Sequence, residues 1–555
     1  MDLEKYKIIS FDIFDTLLLR PLNSPQDVWK IIEEQERTSG FYKDRKEADA
    51  ITYKQASLKN GETSLDEAYS MIPQWDYLKE KELSLEKKII IPNPEMVQIW
   101  EKAGALGKKR ILISDMYLPK KFLEELLIKN GITKWDSFYL SCERNARKTT
   151  GKLFKIMLEE EQIAPSDVLH IGDNKHSDIE QPSKLGINTF HYHKVIEQVY
   201  VENPFLAHTN NQSAPFFALG WHLFKNKNKN WSYWHKLGFF MGGYLGYLYA
   251  SWIASTAKKI DKEHLMFVAR DGYLLKKICN AIYPEIKTDY FCAPRTTSIA
   301  VLGAIGSDPN AIQDRIRYLK SHEINTNQEY EKYKKYLNQF VIDENTAIVD
   351  GCSSGFSAQK LVEFTVDYPV FGFYILAMAK KEHTASLFST DLYSMQFQNL
   401  VEFIFGAPSA PIDGVNGFDP IYKKEISQDE VFKMSVSEMI VDGAVDCAVF
   451  LHQNNVKLSA SDWIQYSNAF MKYLTKNDID NLQLARNATD VQQSKFNKIT
   501  WKPFKKFDFR IEKAGRLGKT FIFVINNIKR SLTISRHGIK YQKKNMEYQI
   551  GRIYE

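Results

Sequence analysis

The sequence predicts an α/β protein in which strands alternate with helices along two successive stretches, followed by a mainly helical region. Three observations carry this. Short apolar runs end in Asp, Ser or Arg; helical patterns separate those runs; and the arrangement occurs once within residues 1–200 and again within 201–425. Strands joined by helices pair in parallel and present their chemistry at the C-terminal edge of the sheet.

In chain order, residues 7–13 (KIISFDI), 110–114 (RILIS) and 168–172 (VLHIG) read as buried strands, with helical patterns over 120–130 and 151–161. Residues 21–100 are mostly helical in pattern with charge-rich turns, which predicts a cap inserted between the first two strands. The Asn/Lys-rich FKNKNKNWSYWHK (224–236) reads as surface. Strand signals return in HLMFVARDGYLL (264–275), TDYFCAPRTTS (288–298), NTAIVDGCSSGFSAQKLVE (345–363) and YPVFGFYILAMAK (368–380), and the pattern ends near Asp413 and Gly414. Residues 426–500 carry apolar residues at helical spacing. The expected division is therefore 1–200, 201–425 and a helical, basic 426–555 associated with the second region.

Composition narrows the function classes. At 555 residues the chain exceeds one core, and 44% hydrophobic with 26% charged residues describes a folded soluble protein. Cys142, Cys279, Cys292, Cys352 and Cys447 are widely scattered without CxxC spacing, which argues for a reducing compartment and against a zinc site. The start, MDLEKYKIIS, does not read as a secretory signal, so the expected location is the cytoplasm. Residues 237–257 carry no charge and are long enough to span a bilayer. Their Gly238, Gly242, Gly243 and Gly246, beside three hydroxyl residues, predict a buried helix of a large domain instead. The net charge of +6 is uneven, because residues 501–555 hold 14 Lys/Arg against four acids. Such a tail suits an anionic surface, for example the inner face of a membrane, or is a solvated helical face. No aromatic-interleaved basic stripe points to nucleic acid.

In the first region Asp12 ends the first strand in SFDIFDT, and Ser114 and Asp115 end the second in ILISDMYLP. Lys148 lies in SCERNARKTTGKLF before a helix, and Asp173 and Asp178 follow the third strand in HIGDNKHSDIE. A carboxylate attacking a phosphoryl group needs neighbouring charge neutralised, which a lysine and a divalent cation held by carboxylates supply. In this order the residues resemble the haloacid dehalogenase superfamily of phosphohydrolases over about residues 5–195. The resemblance implies a Rossmann-like domain with a helical cap and Asp12 as nucleophile. It implies Ser114, Asp115 and Lys148 on the phosphate, with Lys148 preferred to Lys152. It also implies Mg²⁺ held by Asp12, Asp173, Asp178 and the backbone carbonyl of Phe14.

One position departs from that pattern. The superfamily's phosphatases carry DxDxT, whereas this chain has DIFDT, with Phe14 where the second acid acts as general acid. Such an acid contributes about 10²- to 10⁴-fold in rate. Asp15 either takes over that task or merely caps the loop. Dehalogenases of the superfamily also place an aromatic there and work without metal, so dehalogenation competes locally, while the paired Asp173 and Asp178 favour a metal-dependent phosphatase.

In the second region an apolar strand reaches Asp350, and the small residues Gly351, Ser353, Ser354 and Gly355 lead into a helix, a pattern able to cradle phosphate or to serve only as a tight turn. Arg270 and Asp271 lie at another strand end, Arg295 precedes three hydroxyl residues, and Glu402 is a candidate for the same pocket. As a set these suit a polyphosphate-bearing sugar, with arginines on phosphate and acids on ribose hydroxyls or Mg²⁺. Together with the first region's motifs they resemble dual-domain ribofuranosyltransferases of bacterial surface-polysaccharide clusters (O-antigen or capsule), over about residues 5–420. The resemblance implies transfer of 5-phosphoribose from phosphoribosyl pyrophosphate (PRPP) to a lipid-linked glycan acceptor, then removal of the 5-phosphate. The competing reading is a stand-alone sugar-phosphate phosphatase with a binding or scaffolding second domain.

Overall fold

The computed structural model describes residues 1–58, 61–209, 212–302, 316–353, 355–377, 379–388, 395–488 and 496–498. Its first sheet consists of β1 (Ile8–Phe11), β2 (Lys109–Ser114), β3 (Ser137–Leu140), β4 (Val168–Gly172) and β5 (Asn188–His191), all parallel, in the order β3-β2-β1-β4-β5. β1 is central and buried throughout its IISF sequence, as expected of a strand covered on both faces. The order reverses between β1 and β4, because the chain leaves β1 toward one edge and returns to fill the other. The crevice beyond the carboxyl ends of such a strand pair is where open α/β sheets place their ligands.

The cap helices Asp27–Gln35, Phe41–Leu58, Leu65–Ser70 and Lys79–Ile89 lie between two short strands, Leu18–Leu19 and Ile91–Pro92, which pair antiparallel as the cap's base. Helix Pro94–Ala105, within the stretch expected as cap, instead belongs to the crossover into β2: its Trp100 packs edge-on against Phe11, 5.3 Å between ring centroids. Inside the cap, Arg45 is fully buried, and its guanidinium is held by both Glu82 oxygens at 3.0 Å and lies 4.4 Å from the Trp29 ring. A buried charge persists only when paired in this way.

The second sheet comprises β6 (His264–Val268), β7 (Lys287–Phe291), β8 (Thr346–Ser353), β9 (Phe371–Ala377) and β10 (Thr384–Phe388), again all parallel, in the order β10-β9-β8-β6-β7. Here the reversal falls between β6 and β8. Pairing of β8 with β6 stops at Val349 and Phe267, whereas pairing with β9 continues to Ser353 and Ala377. From Asp350 onward one flank of β8 is therefore open. A hairpin of Ile412–Asn416 and Asp419–Tyr422 extends the region past the expected end near Asp413.

Residues 237–257 form a buried helical run, Gly238–Gly242 and Gly243–Lys259, preceded by Tyr233–Leu237 and covered by the 26-residue helix Gln428–Gln453. The glycines allow the two backbones to touch: a Cβ on Gly238 would lie 2.0 Å from the carbonyl oxygen of Ile440. No helix among the described residues is long and apolar enough to cross a membrane. Met1–Ile499 form one compact unit, and one apolar cluster runs from Leu3 through these helices to Ala485. The basic tail, 501–555, lies outside the described residues.

Candidate active site

β1 delivers Asp12 directly after Phe11, and the Asp12 N–H donates to the Ile171 carbonyl at 2.9 Å, tying this loop to β4. Lys148 reaches the same point from the loop after β3. Its Nζ donates to Asp12 Oδ1 at 2.5 Å and to Asp178 Oδ1 at 2.6 Å, with all three side chains under a tenth exposed. Lys152, the other candidate, is exposed. Ser114 closes β2 and is buried. Asp115, expected on the phosphate, has a different task for its carboxylate: it accepts the backbone N–H groups of Lys148 (2.7 Å) and Thr149 (3.2 Å) and so fixes the lysine loop.

Asp178 sits on the turn Lys175–Glu180 after β4, and its Oδ2 accepts the Asn174 N–H at 3.0 Å. Gly172 makes room for it, since a Cβ there would lie 2.5 Å from Asp178. Behind it stands His170, not anticipated from sequence, with Nε2 3.2 Å from Asp178 Oδ1 and Nδ1 2.9 Å from Ser10 Oγ. Its only sequence signal is a polar residue inside an apolar strand.

The charges are strongly coupled. Burial, joined by repulsion from Asp178 and Asp173 and opposed by Lys148, pushes the Asp12 carboxyl well above its ordinary range. Burial would raise Asp178 too, but Lys148 and His170 outweigh it and hold that carboxyl below the usual range. Burial would lower Lys148, and Asp12, Asp178 and Asp115 together push it up instead. Burial and the nearby Asp15 and Asp178 raise Asp173 to about 7.

Asp12, Asp173 and Asp178 each offer an oxygen within 4.8 Å of the others. Three hard oxygen donors converging beside one lysine fit Mg²⁺. The remaining residues of the DIFDT loop are also placed. The Phe14 ring is buried beneath the Arg20 guanidinium at 4.6 Å, and Arg20 is held by Glu86 at 3.1 Å, so Phe14 packs into the base of the cap. Asp15 has a left-handed backbone (φ 56°), and its carboxylate takes up Lys194 at 3.3 Å. Lys194, which the sequence reading missed, also reaches Asp173 at 3.7 Å.

At the second sheet, Asp271 precedes helix Gly272–Ile282 and faces Asp350 across the reversal point; burial and repulsion by Asp271 raise Asp350 to about 7, against the Gly351 N–H and Arg295. Asp350 is not the last strand residue, as expected, because β8 continues to Ser353. The anticipated small-residue cradle is accordingly shorter: Ser354 lies outside the described residues, Gly355 is exposed, and helix Ser357–Val366 follows. Arg295 opens helix Arg295–Leu302 and is exposed. Arg270 has φ 78° and ion-pairs with Glu430, and its Nε is buried with no hydrogen-bond partner. The carbonyl of Glu402 accepts Lys433 Nζ at 2.8 Å. Glu430 and Lys433 come from helix Gln428–Gln453, a stretch whose apolar spacing gave no hint of a site.

No protein-family model matches the chain, and no curated protein matches it. Among solved structures it is similar to L-2-haloacid dehalogenase from Xanthobacter autotrophicus with chloropropionic acid covalently bound: 13% identity, 36% of this chain, 83% of that chain, TM-score 0.27. It is likewise similar to a HAD family enzyme from Bacteroides thetaiotaomicron (15%, covering 34% and 94%, TM-score 0.28) and a HAD phosphatase from Thermococcus onnurineus (17%, covering 33% and 84%, TM-score 0.27). Likeness at this level carries no functional weight. The strand order and the grouping of Asp12, Lys148, Asp173 and Asp178 define an α/β domain with a carboxylate–lysine site at its switch point.

Proposed function

We propose that the first site is a Mg²⁺-dependent phosphohydrolase centre of the haloacid dehalogenase type. The observation that carries this reading is the single buried Lys148 joined to both Asp12 and Asp178 beside Asp173. Asp12 attacks phosphorus, forming an aspartyl phosphate as the bond to the leaving oxygen breaks, and water then returns the carboxylate and releases phosphate. Lys148 offsets the charge of nucleophile and phosphate, and Asp115 holds it in place through its backbone. Asp12, Asp173 and Asp178 would hold the metal, which supplies further charge neutralisation when bound. Dehalogenation would need no metal, and three converging carboxylates favour the phosphatase. Phosphate release from ribose 5-phosphate, compared with chloride release from 2-chloropropionate, decides between them: chloride without phosphate would refute the reading.

The fuller proposal is a two-step ribofuranosyltransferase of surface-polysaccharide biosynthesis. The second site would transfer 5-phosphoribose from PRPP to a lipid-linked glycan, and the first would remove the 5-phosphate. It is supported by a second parallel sheet whose reversal point has Asp271 beside Asp350, with Arg270 following β6 and the charge of Arg295 acting on Asp350, on one chain with the proposed phosphate-cleaving centre. PRPP with Mg²⁺ should raise the melting temperature and, with a suitable acceptor, release pyrophosphate. If it does neither, while phosphatase activity persists, the chain is a stand-alone phosphatase.

A further inference from the structure

The cations at the second sheet are not all on the sheet. Helix Gln428–Gln453 begins at Ser427, whose hydroxyl caps the Glu430 N–H at 3.2 Å, and its first turns carry Glu430 and, three residues on, Lys433. Both side chains are buried, at 3% and 8% exposure. Glu430 takes the Nη2 of Arg270, the residue whose left-handed backbone follows β6 at the reversal point. That pairing leaves the buried Arg270 Nε without an acceptor, so the guanidinium is only partly satisfied. Lys433 donates to the Glu402 carbonyl, and burial together with the nearby Arg270 lowers its ammonium to about 8. Lys433 thus lies within electrostatic reach of Arg270, Glu430, Asp271 and Glu402, on the same helix face as the Glu430 that holds Arg270.

We propose that helix Gln428–Gln453 completes the second site: Lys433 binds the phosphate groups of the substrate, and Glu430 is a counter-ion that yields Arg270 to the incoming phosphate. This rests on the reading of that site as a polyphosphate-sugar pocket. The physical case is one of charge and geometry. A buried lysine that feels a half-buried arginine is tolerated only with carboxylates beside them, and a single carboxylate satisfies part of an arginine fork that a phosphate can engage through two parallel bonds. A pyrophosphate group carries more charge than Glu430, and it would also offer the acceptor that Arg270 Nε lacks.

The test is calorimetric titration of the full chain with inorganic pyrophosphate and Mg²⁺, comparing wild type with Lys433→Met, Glu430→Gln and Arg295→Ala. Lys433→Met is expected to weaken binding at least tenfold, and Glu430→Gln to tighten it several-fold by removing the competitor for Arg270. Glu430→Gln is nearly isosteric and keeps the test decisive if Lys433→Met fails to fold. Weaker binding in Glu430→Gln would make Glu430 a structural brace and overturn its role as counter-ion. If Arg295→Ala weakens binding but neither helix variant changes it, the inference falls while the pocket reading stands. If pyrophosphate does not bind, or all three variants bind it like wild type, the pocket reading itself fails.

Discussion

Replacing Lys148 by Met tests the charge architecture of the first site. Lys148 is 3% exposed and holds two buried carboxylates, Asp12 and Asp178, with Asp173 close by. Methionine keeps much of the volume and removes the ammonium that bonds both acids, leaving Asp178 with His170 alone. Breaking a buried pair in this way costs about 3–5 kcal/mol, because the partner charges remain without compensation. Unfolding entropy of ~2 cal/mol/K per residue over the 499-residue unit is ~1 kcal/mol/K, so the melting temperature should fall by about 3–5 °C. Scanning calorimetry in EDTA at pH 8 reads this directly. The sign with pH follows from the acids: protonation relieves the uncompensated charge in the variant, so the gap should narrow by pH 5. Mg²⁺ should then stabilise the variant more than wild type, because the metal meets three carboxylates with no competing ammonium. A variant as stable as wild type in EDTA at both pH values would refute the account of Lys148 as the site's counter-cation.

Three other outcomes follow from particular contacts. Asp15→Asn should slow phosphate release by ~10²-fold if Asp15 replaces the acid missing at Phe14, and an unchanged rate, measured by phosphate assay, would confine Asp15 to its pair with Lys194. The Asp350 carboxyl is raised to about 7, so the fold favours its protonated form, and the stability this gives below pH 4 is lost as pH rises through 7. Asp350→Asn should therefore melt above wild type at pH 8, by on the order of 2–4 kcal/mol, with the gain vanishing near pH 4. Gly238→Ala would force a methyl to within 2.0 Å of the Ile440 carbonyl oxygen, and denaturant unfolding should show a loss of at least ~1–3 kcal/mol.

The strands that carry chemistry were legible because they are central and built on apolar runs: β1, β2, β4, β6 and the start of β8 all stand out in the sequence. Edge strands were less so: β7 was anticipated in TDYF, whereas β3, β5 and β10 were not. β5 reads NTFH with alternating exposure, and β3 reads SFYL, an apolar run of only three residues. The acids and lysine of the first site were legible through their order, and the structure brings Asp12, Lys148, Asp173 and Asp178 together. Lys194, His170, Glu430 and Lys433 were not, because none belongs to a motif and each gains its meaning from a partner that only the fold reveals; Arg270 and Glu430 are 160 residues apart. The extent of β8 beyond Asp350 was hidden by its Gly, Cys and Ser, which resemble a loop although they pair with β9. Phe14, an anomaly against the motif, packs beneath Arg20, which Glu86 holds in place.

The central claim is that Asp12 is a phosphate nucleophile beside a metal held by Asp173 and Asp178. Its most direct measurement is phosphate release from ribose 5-phosphate by wild type and Asp12→Asn, side by side, in Mg²⁺ and in EDTA. Release by wild type in Mg²⁺ alone, with none from Asp12→Asn at matched thermal stability, is the predicted result. Equal release from the two proteins, or wild-type release undiminished by EDTA, would contradict it.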